Sequence, residues 1–339
     1  MALPRVAQLL TLYNVRSKKV LGQNFLLNPV VTDRIARYTA PKKTDGRVLH
    51  VEVGPGPGGL TRSVLKAGAT HLIAVEKDLT MSPLLGQLRD STPGRFRYIL
   101  DDMLLSDQLV LFDRIMAQAA ECDQDQQIVF EKQLPQPQPS QDDHPIISTA
   151  TETSFDKVHL VGNLPYSISS QLLAMWMQQA AARQYLFSFP TTEMTLMFQR
   201  ELCERIEAPA GTKLRGRLSV VCQALFNVKM VTTVDRKLFK PVPKVDGGIL
   251  RFVPHAEDKL KDVPYDTFVQ LVKVLHHHPN STIRAILKRH HLDAVCDLLP
   301  TCGIDPASRS FMLQVDAFIQ LARQITKENI QIVHTNPLK

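Results

Sequence analysis

The residues with the most chemical content in this 339-residue chain are Asn163, Leu164, Pro165 and Tyr166, which follow an apolar run of strand character, Val158-His159-Leu160-Val161. An enzyme that alkylates an aromatic amine faces a lone pair delocalised into the ring, so it needs acceptors for the amine hydrogens and an aromatic surface to hold the base. Asn163 offers a side-chain carbonyl, the Leu164 backbone another with no N–H on Pro165 to compete, and Tyr166 a stacking face. Acceptors so placed draw the nitrogen toward pyramidal geometry and aim its lone pair. No ionisable base is required. An Asn-Leu-Pro turn followed by a core tyrosine would have the same sequence without the chemistry.

A second group is Glu52-Val53-Gly54-Pro55-Gly56-Pro57-Gly58-Gly59-Leu60-Thr61. It follows apolar Val48, Leu49, Val51 and Val53 and precedes Leu60, Val64 and Leu65 on one helical face, the pattern of a strand–turn–helix junction. Glycines let the backbone turn tightly and approach a ligand. Pro55 and Pro57 remove two N–H donors that a pyrophosphate would need, which disfavours a nicotinamide-dependent oxidoreductase. The corner suits the uncharged edge of an amino-acid or nucleoside ligand, with Glu52 beneath it; a plain tight turn is the alternative. Glu76 ends a second apolar run, His71 to Val75, where an acid can accept from ribose hydroxyls. Asp101, Asp102 and Met103 end a third, Phe96 to Leu100. Either aspartate could accept from the exocyclic amine of adenine while Met103 packs on the ring, or could cap a helix. Upstream, the amides of Gln23 and Asn24 can hydrogen-bond a ligand while Phe25 and Leu26 pack.

Strands that end in polar clusters and alternate with helical segments place these residues in an α/β sheet. Glu193 to Phe198 and Ile249 to Val253 add strands, Gln199 to Ile206 a helix with paired charges, and Ser170 to Gln179 a helix with Trp176 in the core. From His255 onward the spacing is purely helical, as in Phe268, Leu271, Val272 and Leu275. The length favours two domains. We expect a basic arm over residues 1–20, a site-bearing domain over 21–254 and a helical domain over 255–339.

Hydrophobic content of 44% and charged content of 22% are ordinary for a globular protein. No apolar run reaches the roughly 20 residues of a membrane span, and no membrane partner is expected. The net charge of +7 conceals a segment, residues 105–157, with ten acids against three bases, so the rest of the chain carries +14. A polyanionic partner is implied. The acidic segment, rich in Gln and Pro from Gln124 to Gln141, is expected to be a flexible surface insertion that avoids a polyanion. Arg5, Arg16, Lys18 and Lys19, with no acid up to Thr32, fit either a mitochondrial transit segment or an arm that grips phosphates. Lys213-Leu214-Arg215-Gly216-Arg217 fits a phosphate-contacting loop or a solvated one. Phe239 to Asp246 is an extended Pro-rich loop suited to one wall of a substrate cleft. Five cysteines without metal-ligand spacing are expected as reduced thiols, His276-His277-His278 as solvated side chains, and no metal is expected.

Taken together, Gln23-Asn24-Phe25-Leu26, Glu52 to Thr61, Val75-Glu76-Lys77-Asp78, Asn163-Leu164-Pro165-Tyr166 and Phe239 to Asp246 resemble the rRNA adenine dimethyltransferase family over about residues 15 to 255. Leu3-Pro4, the basic helix after them and Met194-Thr195-Leu196 look most like its mitochondrial branch. The resemblance implies an S-adenosylmethionine-dependent enzyme with the Rossmann-like seven-stranded sheet of class I methyltransferases and a small C-terminal helical domain. It implies dimethylation of two adjacent adenines in a hairpin loop near the 3′ end of small-subunit rRNA, by a monomer in the mitochondrial matrix. Carried over by motif, Gln23, Asn24, Leu26 and Gly54 line the methionine end of the donor and Glu76 its ribose. Lys77, Asp102 and Met103 take its adenine. Asn163 serves both donor and substrate, Leu164 completes the amine site, and Phe25 and Tyr166 hold the target base, which must leave its stack to be reached. The basic run that members carry in the first C-terminal helix is replaced here by the histidine-rich stretch from His276. Because the mitochondrial branch is related to transcription factors of the same fold, mitochondrial DNA and the transcription machinery are the alternative partners.

Overall fold

In the computed structural model, which describes residues 4–133 and 154–332, the strands are β1 (Phe25–Leu26), β2 (Val48–Val53), β3 (His71–Glu76), β4 (Phe96–Leu100), β5 (Lys157–Asn163), β6 (Thr191–Gln199), β7 (Phe226–Val234), β8 (Phe239–Lys240) and β9 (Gly247–Pro254). The helices are α1 (Val6–Leu12), α2 (Pro29–Ala36), α3 (Gly59–Lys66), α4 (Ser82–Ser91), α5 (Gln108–Gln133), α6 (Ser169–Ala182), α7 (Arg200–Glu207), α8 (Arg217–Leu225), α9 (Tyr265–Leu275), α10 (Ile283–Arg289), α11 (Asp293–Leu298) and α12 (Val315–Lys327).

Seven strands form one sheet in the order β4-β3-β2-β5-β6-β9-β7, while β1 and β8 pair separately. All six residues of β2 and all six of β3 are buried, as expected of parallel strands covered on both faces. β2 pairs in parallel with β3 on one side and β5 on the other. The strand order therefore reverses at β2 and β5. Beyond their carboxyl ends lies the crevice where open α/β sheets bind ligands.

The described residues divide into two compact units, those within 1–169, 185–197 and 234–244 and those within 170–184, 198–233 and 245–339. The first carries β2 to β5, the glycine turn and the β1–β8 pair. In the second, α9 buries Phe268, Leu271, Val272, Val274 and Leu275, and α12 buries Phe318, Ile319, Leu321, Ala322 and Ile325. Among the described residues, every α or β element after Pro254 is a helix.

Four sequence expectations need correction. The acidic segment is not irregular throughout, because α5 runs from Gln108 to Gln133 and buries Leu111, Ile115, Ala119 and Cys122 at helical spacing. Its acids are partly structural. Arg97 binds Glu121 at 2.6 Å and Asp125 at 2.7 Å, and Arg47 binds Asp123 at 2.7 Å. The Gln/Pro-rich remainder, 134–153, lies outside the described residues. Arg215 is not a phosphate contact: it is buried and donates to the Ala208 carbonyl and Gln223 Oε1, both at 2.8 Å. The helix α8 and strand β7 were not anticipated, since β7 exposes Asn227 and Lys229 and lacks a clean apolar alternation. His276 is not solvated; its ring stacks on Phe318, 5.6 Å between centroids, and burial lowers its pKa. Trp176 is fully buried, as expected.

Candidate active site

β2 delivers the chain into Gly54, Gly56 and Gly58 with φ of 67°, 54° and 83°, all in the left-handed region that glycine alone enters at little cost. The turn is tied to the neighbouring strand. The Gly54 N–H donates to the Val75 carbonyl at 2.9 Å, and the Gly56 N–H to Glu76 Oε2 at 2.9 Å. A Cβ built on Gly54 would meet nothing within 4 Å, so this backbone faces open space where a ligand can approach closely. At Gly56 the same atom would lie 3.3 Å from the Phe25 ring, which closes that side.

The open space is a cavity whose wall includes Asn24, Gly54, Glu76, Met103, Asn163 and Tyr166. Every other position expected from sequence, namely Gln23, Leu26, Lys77, Asp102 and Leu164, lines it too. On one side, Glu76 is buried and uses one oxygen for Gly56 and the other, at 2.7 Å, for the Asp78 N–H. Each carboxylate oxygen has a further lone pair for a hydroxyl donor. Burial raises the pKa of Glu76, while the backbone N–H groups of Asp78 and Gly56 oppose the rise. Asp102 accepts from the Leu104 and Leu105 N–H groups through Oδ1 and binds Lys77 Nζ at 2.6 Å through Oδ2. It caps the turn and, with Asp101, lines the cavity. Burial pushes its carboxyl up, but the hydrogen bond from Lys77 and the backbone donors outweigh this and leave it below the usual range. Asp101 is turned to Arg114 and Ser106.

On the other side, β5 ends at Asn163, whose Nδ2 donates to the Asn24 carbonyl at 2.9 Å. Committing the nitrogen leaves the carboxamide oxygen as the acceptor offered to a ligand. Leu164 is buried, and Tyr166 is half-buried at the cavity. Phe25 is 7% exposed and packed on the turn, so Tyr166 presents more aromatic surface to a base than Phe25 does. β1 pairs antiparallel with β8, Phe25 with Lys240 and Leu26 with Phe239, which brings the Pro-rich loop against the segment that carries Asn24.

Glu52, on the floor, is buried with Oε2 unpartnered, and burial pushes its carboxyl up to about 8. It holds its proton at neutral pH. Sequence reasoning named Lys18 and Asp78 but missed the bond between them. Lys18 Nζ binds Asp78 Oδ1 at 2.6 Å, and Gln23 Nε2 donates to Asp78 Oδ2 at 2.8 Å. The Gln23 carboxamide is therefore spent within the protein, since its oxygen also accepts from the Lys18 N–H. No local pattern could reveal a bond between residues 60 positions apart.

A neutral carboxamide acceptor beside an aromatic face, an open glycine backbone, and paired acids at the ends of β3 and β4 fit an adenosine-bearing donor on one side and an amine substrate on the other. Comparison with known proteins agrees. A family model described as ribosomal RNA adenine dimethylase matches residues 14–327. The chain is 33% identical over 326 residues to "Dimethyladenosine transferase 1, mitochondrial" of Xenopus tropicalis, covering 94% of this chain and 84% of that protein. It is 32% identical to the Homo sapiens protein of that name, covering 98% and 89%, and 33% identical to that of Vermamoeba vermiformis, covering 95% and 94%. Two solved structures share the fold: a dimethyladenosine transferase from Plasmodium falciparum, at TM-score 0.65 and 21% identity over 90% of this chain and 98% of that one, and the 23S rRNA methyltransferase ErmE, at TM-score 0.57 and 22% identity over 89% and 100%.

Proposed function

This chain belongs to the ribosomal RNA adenine dimethylase family, and from that premise we propose that it dimethylates N6 of two adjacent adenines in the 3′-terminal hairpin loop of mitochondrial small-subunit rRNA. It is an S-adenosylmethionine-dependent rRNA adenine dimethyltransferase. The relatives' names support the mitochondrion, and we place the enzyme in the matrix.

The observation that carries this proposal is the fixed carboxamide of Asn163. Its oxygen, together with the Leu164 carbonyl, accepts the two amine hydrogens of a flipped adenine that Tyr166 stacks. Accepting both hydrogens withdraws the lone pair from the ring and points it across the cavity. S-adenosylmethionine supplies an activated methyl group on a sulfonium. Glu76 holds its ribose, Asp102 with Lys77 and Met103 its adenine, and Gly54 with Asn24, Leu26 and the main chain of Gln23 the methionine end. Once it has accepted the methyl group the nitrogen is cationic and strongly acidic, and it sheds its proton to water. A cavity lined for a donor supports an enzyme over a nucleic-acid-binding module for mitochondrial DNA or the transcription machinery.

Incubation of the protein with labelled donor and an rRNA fragment containing the hairpin should place label on both loop adenines, and primer extension on organellar rRNA from cells lacking the protein should lose both stops. Label elsewhere, or stops that persist in those cells, would overturn the site assignment.

A further inference from the structure

Asp78 follows Glu76 by two residues, and its side chain is fully buried although it lies just past the end of a strand. Its Oδ1 accepts from Lys18 Nζ at 2.6 Å, from the Thr80 N–H at 3.0 Å and from Thr80 Oγ1 at 2.7 Å, and its Oδ2 from Gln23 Nε2 at 2.8 Å. Its own N–H donates to Glu76 Oε1 at 2.7 Å. Lys18 and Gln23 bracket the residues Val20, Leu21 and Gly22 that line the cavity, and the next residue, Asn24, receives Asn163 Nδ2. A continuous hydrogen-bonded path thus runs from Glu76 through Asp78 and Gln23 to the backbone that orients Asn163.

We infer that Asp78 is a positioning residue that clamps the 18–24 strap along the donor cavity, so that occupancy beside Glu76 and the placement of Asn163 are coupled through one carboxylate. The inference rests on this cavity being the S-adenosylmethionine site. The exposed part of Lys18 makes the isolated ion pair weak. The buried carboxylate is different: removal of its donors leaves a charge without compensation. Two hydrogen bonds close the strap on itself, since the Gln23 oxygen accepts from the Lys18 N–H at 2.9 Å and the Gln23 N–H reaches the Lys18 carbonyl at 3.5 Å. The strap therefore attaches as one piece. When Asp78 releases it, the methionine-end wall and the Asn24 carbonyl are lost together. A purely local role, capping the short turn Leu79–Met81 through Thr80, would involve neither Lys18 nor Gln23.

The test uses the full chain and four proteins: unaltered, Lys18→Met, Asp78→Asn and the double variant. Calorimetry measures S-adenosylmethionine affinity, hydrogen exchange reads the amides of residues 18–24, and thermal unfolding monitors the fold. A clamp predicts that each single change weakens donor affinity about 10-fold and that the double change is no worse than Asp78→Asn alone. Exchange at residues 18–24 should quicken in each variant. Donor affinity unchanged in Lys18→Met, or losses that multiply in the double variant, would overturn the clamp. If Asp78→Asn fails to fold, Lys18→Met decides, because Lys18 is half-exposed. If the unaltered protein binds no donor, the cavity assignment fails instead, and unchanged exchange in Lys18→Met then overturns the clamp by itself.

Discussion

Asn163 Nδ2 donates to the main-chain oxygen of Asn24 at 2.9 Å, joining positions 139 residues apart. The bond commits the carboxamide nitrogen to the protein. In the proposed reaction this leaves the oxygen as the acceptor for the adenine amine.

Asn163→Ala should therefore reduce methyl transfer by roughly 10²–10³-fold, the usual cost of removing one fixed dipole from a reaction centre. RNA affinity should barely change, since phosphate contacts dominate it. Filter binding and label incorporation on the same rRNA fragment separate the two effects. Equal activity of variant and unaltered protein would remove Asn163 from the chemistry.

Glu76→Ala should weaken binding of the donor by about 10- to 100-fold, because two hydroxyls lose their carboxyl acceptor. Calorimetric titration reads this directly. Unchanged affinity would place the ribose elsewhere.

Glu52 gives a pH signature. Its folded-state pKa of about 8 lies above the ordinary 4.5, so the native state binds the proton more tightly than the unfolded chain does. Its contribution to stability is then greatest below pH 4.5 and declines as pH rises through 8. Thermal unfolding of the ligand-free protein should show a fall across that window that is shallower in Glu52→Gln, with a difference on the order of a few kcal/mol at the alkaline end. Parallel profiles for the two proteins would argue against a buried, proton-bearing Glu52.

Ile115→Ala tests whether α5 belongs to the core. At 1% exposure, this side chain should cost about 2–4 kcal/mol on truncation, visible as a shifted denaturant midpoint. A loss below about 0.5 kcal/mol would be the mark of a surface residue and would return the segment to the status of an insertion.

That the glycine turn and the Asn163–Tyr166 stretch line one cavity was legible in the sequence, because each is a local turn at a strand end that spacing and residue type mark. So were β2 to β5, whose apolar runs are long and bounded. The helix α5 was hidden by its acids, which are partners of Arg97 and Arg47 on other elements rather than signs of a solvated coil. Arg215 was misjudged for the same reason: a charge in a basic stretch looks solvated until its carbonyl acceptors are known. The bond between Lys18 and Asp78 carries no signal in one dimension, since neither residue type nor spacing marks a contact made only when the arm folds back.

The pairing of Phe25 with Lys240 and of Leu26 with Phe239 has a consequence for biosynthesis. A nascent chain that has emerged only as far as β6 already contains the glycine turn, both acids and Asn163, yet lacks the strand that secures the segment following Asn24. The pairing partner of Phe25 and Leu26 thus becomes available only after β8 has left the ribosome. A fragment released early would hold nearly all the cavity residues without the strand that flanks Asn24.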